Sequence, residues 1–329
     1  MQQTPAADRE LVVPAWAAVS REAAPFALLA EGARLGIPGA LVAISAIDGG
    51  APKELGAHLA VLADGRHVGH VSGGCVEPAI ATEVLPFIAE GGDRIVRFGK
   101  GSPYMDIRFP CGGGVDLLVH VSPDAQLIDA ALDALGRREA FAIAFRPEDS
   151  TARLIHDNGA TGWREGAFVR RYLPRTRLGL AGRGPDLEVL ARVALAAELE
   201  VAVATPDDAS AAVVAALGLP VTRLTSPSQT LDLAIDPWTA TVLLFHEHEW
   251  EDAILTQAVA APGFYIGAMG SVRTHRQRCE RLIARGVPPE QVDRIRGPIG
   301  LIDRARDPGT LALSVLAEIT AERAAIDRA

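Results

Sequence analysis

The sequence predicts an α/β protein of two domains, and three observations carry that prediction. The chain has 329 residues, more than a single core of ordinary size needs. From Leu178 onward, apolar strand-like runs alternate with helical ones, the pattern of a parallel sheet covered on both faces. Between the halves, "YLPRTR" (Tyr172 to Arg177) mixes proline with charge, as linkers do. The boundary is drawn at 174/175, giving an N-terminal α/β domain over 1–174 and a C-terminal parallel-sheet domain over 175–329.

Composition narrows the function classes. Hydrophobic residues make up 49% and charged residues 22%, normal for a globular chain. Forty-one acidic residues against 32 basic ones leave a net charge of −9, so there is no general electrostatic reason to bind nucleic acid or an anionic membrane. The start, "MQQTPAADRELVV", lacks a basic segment followed by an apolar run, and no secretory signal is expected. The longest apolar stretch, "IPGALVAISAI", is too short to cross a bilayer as a helix. Three cysteines do not make a disulfide framework. The expectation is a soluble cytoplasmic protein with reduced thiols.

In the N-terminal domain, "APFALLAEGARLG" (Ala24 to Gly36) has helical spacing and stops at glycine. "ALVAISAI" (Ala40 to Ile47) reads as a buried strand. "HLAVLADGRHVGHV" (His58 to Val71) reads as a hairpin turning at Asp64-Gly65. A helix is expected from about Val76 to Ala89, with Pro78 in its first turn, where a missing N–H costs little. "RIVRF" and "GVDLLVHV" read as strands, Ala125 to Arg138 as a helix, and two or three strands fit between Ala140 and Tyr172. In the C-terminal domain, "LGLAGRGPDLEVLARVALAAELEVAVATPDD" reads strand, glycine turn, helix, strand. "AAVVAALGLP" follows as a helix, "TATVLLFHEH" as a strand, "WEDAILTQAVAA" as a helix and "FYIGAM" as a strand. Two helices close the chain, "SVRTHRQRCERLIARG" and "DPGTLALSVLAEITAERAAI".

The glycine turn at Gly182 and Gly184 suggests a Rossmann-like unit, whose backbone approaches a phosphate at a helix N-terminus. The third small residue of that pattern is replaced by Leu187. The acidic residue expected after the second strand is also missing; Thr205 stands there, with Asp207 two residues later. The pattern therefore supports the fold and argues against bound NAD(P).

Two cysteines stand beside glycines. Cys75 follows Gly73 and Gly74 at the start of a helix, where unpaired N–H groups and the helix dipole would favour a thiolate. Cys111 precedes bare backbone from Gly112 to Gly114. A pair of small buried apolar residues is the plain alternative. Neither cysteine has the partner spacing of a zinc site, and Cys279, inside a charged helix, reads as structural. Glu77 fits either a capping carboxylate or a general acid/base. His246 and His248 in "FHEHEWED" are at strand spacing on one face, as a half-built metal site, a substrate contact or a solvated loop. Gly270, Ser271 and Arg273 open a helix with the donors an anion would want, or simply a basic helix face.

Taken in order, these motifs resemble one family. Gly50-Ala51-Pro52-Lys53-Glu54-Leu55-Gly56-Ala57 is similar to a "GSSPRPxGA" pattern. It is followed by Ser72-Gly73-Gly74-Cys75-Val76-Glu77, then Cys111-Gly112-Gly113, then "YIGAMGSVRTHRQR", "PIGL" and "ALSVLAEI". Together they resemble the xanthine dehydrogenase accessory proteins of the XdhC/CoxI type, from about Pro25 to Ala321.

The resemblance implies a chaperone for the molybdenum cofactor (molybdopterin), more than an enzyme with turnover of its own. It would hold the cofactor while a terminal sulfur is installed and pass it to a molybdenum hydroxylase of xanthine dehydrogenase or aldehyde oxidase type. A cysteine desulfurase would donate the sulfur, and a homodimer is common in the family. Soft thiolates suit molybdenum, so Cys75 and Cys111 become its implied ligands, with Ser72, Gly73, Gly74, Glu77, Gly112 and Gly113 around them. The phosphate of the pterin would suit Gly182, Gly184, Gly270, Ser271 and Arg273. The chain departs from the family at Pro185, where a histidine is usual, at Thr205-Pro206-Asp207 and at Ile302 to Ala305; these changes weigh against a nucleotide function. Two competing readings are an NAD(P)-dependent oxidoreductase using the C-terminal domain and a thiol redox enzyme cycling Cys75 and Cys111.

Overall fold

The computed structural model describes residues 21–51, 53–74, 76–102, 112–157 and 159–328. The chain divides into two compact units, Met1–Pro174 and Arg175–Ala329.

The first unit is built around α1 (Ala24–Leu35), β1 (Gly39–Asp48), β2 (His58–Leu62), β3 (His67–Gly69), α2 (Glu77–Glu90), β4 (Arg94–Gly99), β5 (Gly114–Val121) and α3 (Ala125–Gly136). Its five strands form an antiparallel sheet in the order β3-β2-β1-β5-β4. Strand periodicity sorts β1 between two cores. Ala40, Val42 and Ile44 face α2 through Ile80, Val84 and Ile88. Leu41 and Ala43 face the opposite way, toward Phe26, Leu29 and Ile128 of α1 and α3.

Four further strands, β6 (Phe141–Arg146), β7 (Thr151–Ile155), β8 (Gly162–Arg164) and β9 (Ala167–Tyr172), make a second antiparallel sheet in the order β7-β6-β9-β8. The sequence predicts two or three strands here. β8 has only three residues, too few for alternation to register, and β7 carries no buried residue.

The second unit runs β10 (Arg177–Gly182), α4 (Gly184–Ala196), β11 (Glu200–Thr205), α5 (Asp208–Ala215), β12 (Val221–Arg223), β13 (Thr239–Leu244), α6 (Asp252–Ala260), β14 (Tyr265–Ala268), α7 (Val272–Ala284), α8 (Pro289–Val292), β15 (Ile295–Arg296) and α9 (Pro308–Arg328). All its paired strands are parallel, in the order β12-β11-β10-β13-β14-β15. That order reverses direction between β10 and β13, as in a Rossmann fold. α4 and α9 cover one face through Leu187, Leu190, Val315 and Ile319. α6 and α7 cover the other through Ile254, Leu255 and Leu282. α5 runs Asp208–Ala215 and begins ahead of the alanine run from which it is expected, because the Asp207 carboxylate caps it by accepting from the Ser210 N–H at 2.7 Å.

Candidate functional site

Antiparallel pairing puts the end of β1, the start of β2, the ends of β3 and β4 and the start of β5 at one end of the five-stranded sheet. Three loops therefore leave from the same place. They are 49–57, holding the Gly-Ala-Pro-Lys motif, 70–76, holding the first cysteine, and 100–113, holding the second. Cys75 and Cys111 themselves lie outside the described residues, but the stems of both loops do not.

The first stem closes on a carboxylate. The Glu77 side chain accepts from the N–H groups of Val71 at 3.1 Å, Ser72 at 2.8 Å, Gly73 at 3.0 Å, Gly74 at 2.9 Å and Val76 at 3.2 Å. The Ser72 hydroxyl adds a sixth bond at 2.6 Å. Successive amides can converge because Gly73 and Gly74 take φ of 117° and 103°, which glycine adopts without penalty. Glu77 is only 3% exposed. Burial pushes its carboxyl up, but hydrogen bonds from the Ser72 hydroxyl and the Ser72 and Gly73 amides outweigh that and hold its pKa at about 2.

Glu77 is thus the anion at the centre of the loop, taking the N–H groups of the turn that precedes α2. The amides of Gly73, Gly74 and Val76, which flank Cys75 in the sequence, are spent on it. Sequence reasoning leaves this role undecided, although a carboxylate three residues after a Gly-Gly turn is the signal for it.

The second stem is laced to the first loop. The Lys100 N–H donates to the Gly113 carbonyl at 3.0 Å. A Cβ on Gly113 would collide with the Gly50 carbonyl, so only glycine allows this approach, whereas Gly112 has open space around it. Arg97, which sequence reasoning misses, clamps this corner through Asp48 at 2.7 Å, Asp116 at 3.2 Å and the Lys100 carbonyl at 3.0 Å.

The remaining candidates fall in the second unit. A crevice of about 470 Å³ opens beyond β13 and β14, lined in part by Asp186, His246, Gly270, Val272 and Arg304. Gly182 packs tightly, because a Cβ there would come within 2.6 Å of the Leu244 carbonyl oxygen. The Gly184 amide is taken by the Ser210 hydroxyl at 2.8 Å, which in turn donates to Glu188 at 2.9 Å. The next residue, Pro185, has no N–H, and Asp186 puts negative charge in the first turn. Little at this turn invites a pyrophosphate.

Ser271 caps α7, accepting from the Thr274 N–H at 3.1 Å. Arg273 is exposed on that helix. The histidines are not on a strand face as expected, because β13 ends at Leu244 and His248 opens a short 3-10 turn, His248–Trp250. His248 Nδ1 lies 3.3 Å from the buried Glu251 carboxylate, which Arg278 grips with two bonds of 2.8 and 3.0 Å. Among the described residues no group of three or more His, Cys, Asp and Glu side chains could hold a metal ion. Burial raises the Cys279 thiol, in keeping with a structural role.

Residues 33–99 match the model of the XdhC and CoxI family, and residues 178–319 match that of the XdhC Rossmann domain. The chain is 37% identical over 283 residues to the Escherichia coli K12 protein named molybdenum cofactor insertion chaperone PaoD, spanning 86% of this chain and 83% of that one. The chain belongs to the XdhC and CoxI family. A second relative, from Bacillus subtilis and named as a probable xanthine dehydrogenase subunit, is 26% identical over an alignment of 315 residues, with 86% of this chain and 92% of that one covered. The fold is also similar to a crystal structure of a xanthine dehydrogenase from Bacillus halodurans, with a TM-score of 0.68 at 21% identity, covering 92% of this chain and 96% of the other. Within the XdhC and CoxI frame, both cysteine loops fall in the N-terminal unit and the Rossmann unit supplies a separate crevice. No helix among the described residues is long and apolar enough to cross a membrane.

Proposed function

We propose that this protein is a chaperone of the molybdenum cofactor. It receives the cofactor as cargo, holds it while its terminal sulfur is installed with a cysteine desulfurase as donor, and delivers it to a xanthine dehydrogenase-like molybdenum hydroxylase. Its relatives are named for cofactor insertion and for xanthine dehydrogenase, which supports the cargo and the class of client. The carrying observation is that the stems of loops 49–57, 70–76 and 100–113 leave from one end of the sheet. Two soft thiol donors on adjoining loops suit molybdenum. Cys75 and Cys111 are the proposed ligands. Ser72, Gly73, Gly74 and Glu77 order the first loop, Gly113 seats the second against Gly50, and Gly112 leaves it approachable. In this reading the protein works as a cytoplasmic homodimer, and Gly182, Gly184, Gly270, Ser271 and Arg273 are secondary candidates for contacts with the cargo.

A pterin-retention assay tests it. The purified protein is incubated with cofactor released from a molybdoenzyme, freed of unbound material, and oxidised to the fluorescent pterin. Near-stoichiometric pterin on the wild type, lost in Cys75→Ala and in Cys111→Ala, is the expected result. No pterin on folded wild type, with intact cofactor in the same tube, would sink the proposal.

A further inference from the structure

Loop 49–57 carries neither thiol, yet its backbone is pinned at several points. The Gly56 N–H donates to the Ile44 carbonyl at 2.8 Å, and the Ala57 N–H to the Glu54 carbonyl at 3.1 Å. From the second sheet of the same unit, Arg170 Nε donates to the Gly56 carbonyl at 3.0 Å. Between this loop and Arg170 lies a cavity of about 540 Å³, lined in part by Lys53, Glu54, Glu22 and Arg170. A smaller cavity of about 150 Å³ shares Lys53, Glu22 and Arg170 and runs on to Gly69 and His70. His70 adjoins the Glu77-centred loop, with its Nδ1 3.9 Å from the Glu77 carboxylate. The two cavities thus connect the Lys53 loop with the stem of the first cysteine loop.

In the larger cavity Lys53 and Arg170 are balanced by Glu22 and Glu54, whereas the smaller one sets Arg21, Lys53 and Arg170 against Glu22 alone, so its lining carries an excess of positive charge. Arg170 is 8% exposed and fully engaged. It pairs with Glu22 at 2.7 Å, donates to the Arg171 carbonyl at 3.2 Å, and stacks on the Tyr172 ring at 3.6 Å. That pair is neutral. His58, which also lines the smaller cavity, is kept uncharged, because burial and the Arg170 cation lower its pKa to about 4. Lys53 is different. Among the described residues no carboxylate or carbonyl pairs with its ammonium, even though the chain as a whole carries −9. A partly buried lysine on the wall of both cavities, with three N–H donors and no protein acceptor among the described residues, is free to bind an anion.

We infer that Lys53 and the smaller cavity form a phosphate-ester subsite, which takes the phosphate end of the pterin while the thiol loops take the metal end. The inference rests on the chaperone reading above, and its chemistry is that of a phosphate dianion from whatever source.

The test has two arms on the full chain. In the first, anaerobic equilibrium dialysis measures cofactor affinity for wild type, Lys53→Gln and Lys53→Arg. Loss of a charge-assisted contact predicts roughly tenfold weaker binding in Lys53→Gln, with most of it restored in Lys53→Arg. In the second, inorganic phosphate is the probe, and wild type but not Lys53→Gln broadens its 31P resonance. Lys53 makes no hydrogen bond or ion pair among the described residues, so thermal melts of the variants should match the wild type. Equal cofactor affinity in wild type and Lys53→Gln overturns the subsite and leaves the chaperone reading standing. If wild type binds no cofactor, the chaperone reading falls. The phosphate arm then decides the subsite alone: Lys53-dependent broadening keeps it as a site for another phosphate ester, and its absence removes it.

Discussion

In the N-terminal unit the glycine turn before α2 closes on a carboxylate, Glu77, which collects five backbone N–H groups. In the C-terminal unit the glycine turn before α4 closes on a hydroxyl, Ser210, which accepts from one amide and donates its own proton to Glu188. Both turns resemble anion cradles, and both are filled from within. A buried carboxylate surrounded by donors holds its place, since an incoming anion would have to displace a charge already stabilised there. A hydroxyl is a weaker plug. At α4 it is Pro185 and Asp186 that keep the helix start unsuited to phosphate. The same motif therefore serves as a rigid support in one unit and as a strand-to-helix turn in the other.

The largest expected effect that would break this comparison is at Glu77. Glu77→Ala removes the acceptor of five amides and should lower stability by roughly 3 kcal/mol or more, since bonds to a charged group contribute most. Glu77→Gln keeps the shape but turns an NH2 toward other donors, so its loss is of the same order. Urea unfolding read with amide exchange of residues 71–76 checks both. If either variant costs no more than Ser210→Ala, Glu77 is not the centre of its loop.

Somewhat smaller is the acid response. The Glu77 pKa falls from 4.5 to about 2 on folding. A depressed carboxylate stabilises the fold fully above its unfolded pKa, and that share is lost as pH drops from about 4.5 through 2. It amounts to about 3 kcal/mol. His58 acts in the same direction at higher pH. Its pKa falls from 6.5 to about 4, so the folded state resists protonation and stability declines as pH drops through that window. Glu77→Gln should flatten the lower part of the pH profile and leave the upper part unchanged. An unaltered profile in this variant would assign the acid sensitivity elsewhere.

The second unit was the more legible in the sequence. Its strands are buried on both faces and read as continuous apolar runs, such as Thr239–Leu244, and its helices have a core-facing stripe. The doubt about NAD was also readable, from Leu187 and Thr205 standing where small and acidic residues belong. The first unit gave up its elements but not its site chemistry. β8, at three residues, is too short for pattern to show. Glu77 was visible as a first-turn carboxylate, yet whether it caps or catalyses depends on where five N–H groups point. Arg97 carried no sequence signal of its own, because it is defined by partners nineteen and forty-nine residues away, and Lys53 stood inside the Gly50 to Ala57 motif with nothing there to show that it lacks a partner among the described residues.

The smallest effect sharpens the comparison from the other side. Ser210→Ala frees the Gly184 amide and the Glu188 carboxylate at once, in a buried spot, and should cost about 1 kcal/mol. It should not create a nucleotide site. The freed amide is one donor, and the next residue, Pro185, offers none. Asp186 still opposes a phosphate in the first turn, and Asp207 remains occupied capping α5. NADH fluorescence should therefore stay flat across a titration of both wild type and Ser210→Ala. Saturable binding by the variant alone would mean that the hydroxyl, and not the helix start, is what excludes the nucleotide, and the two plugs would then be closer in kind than their chemistry suggests.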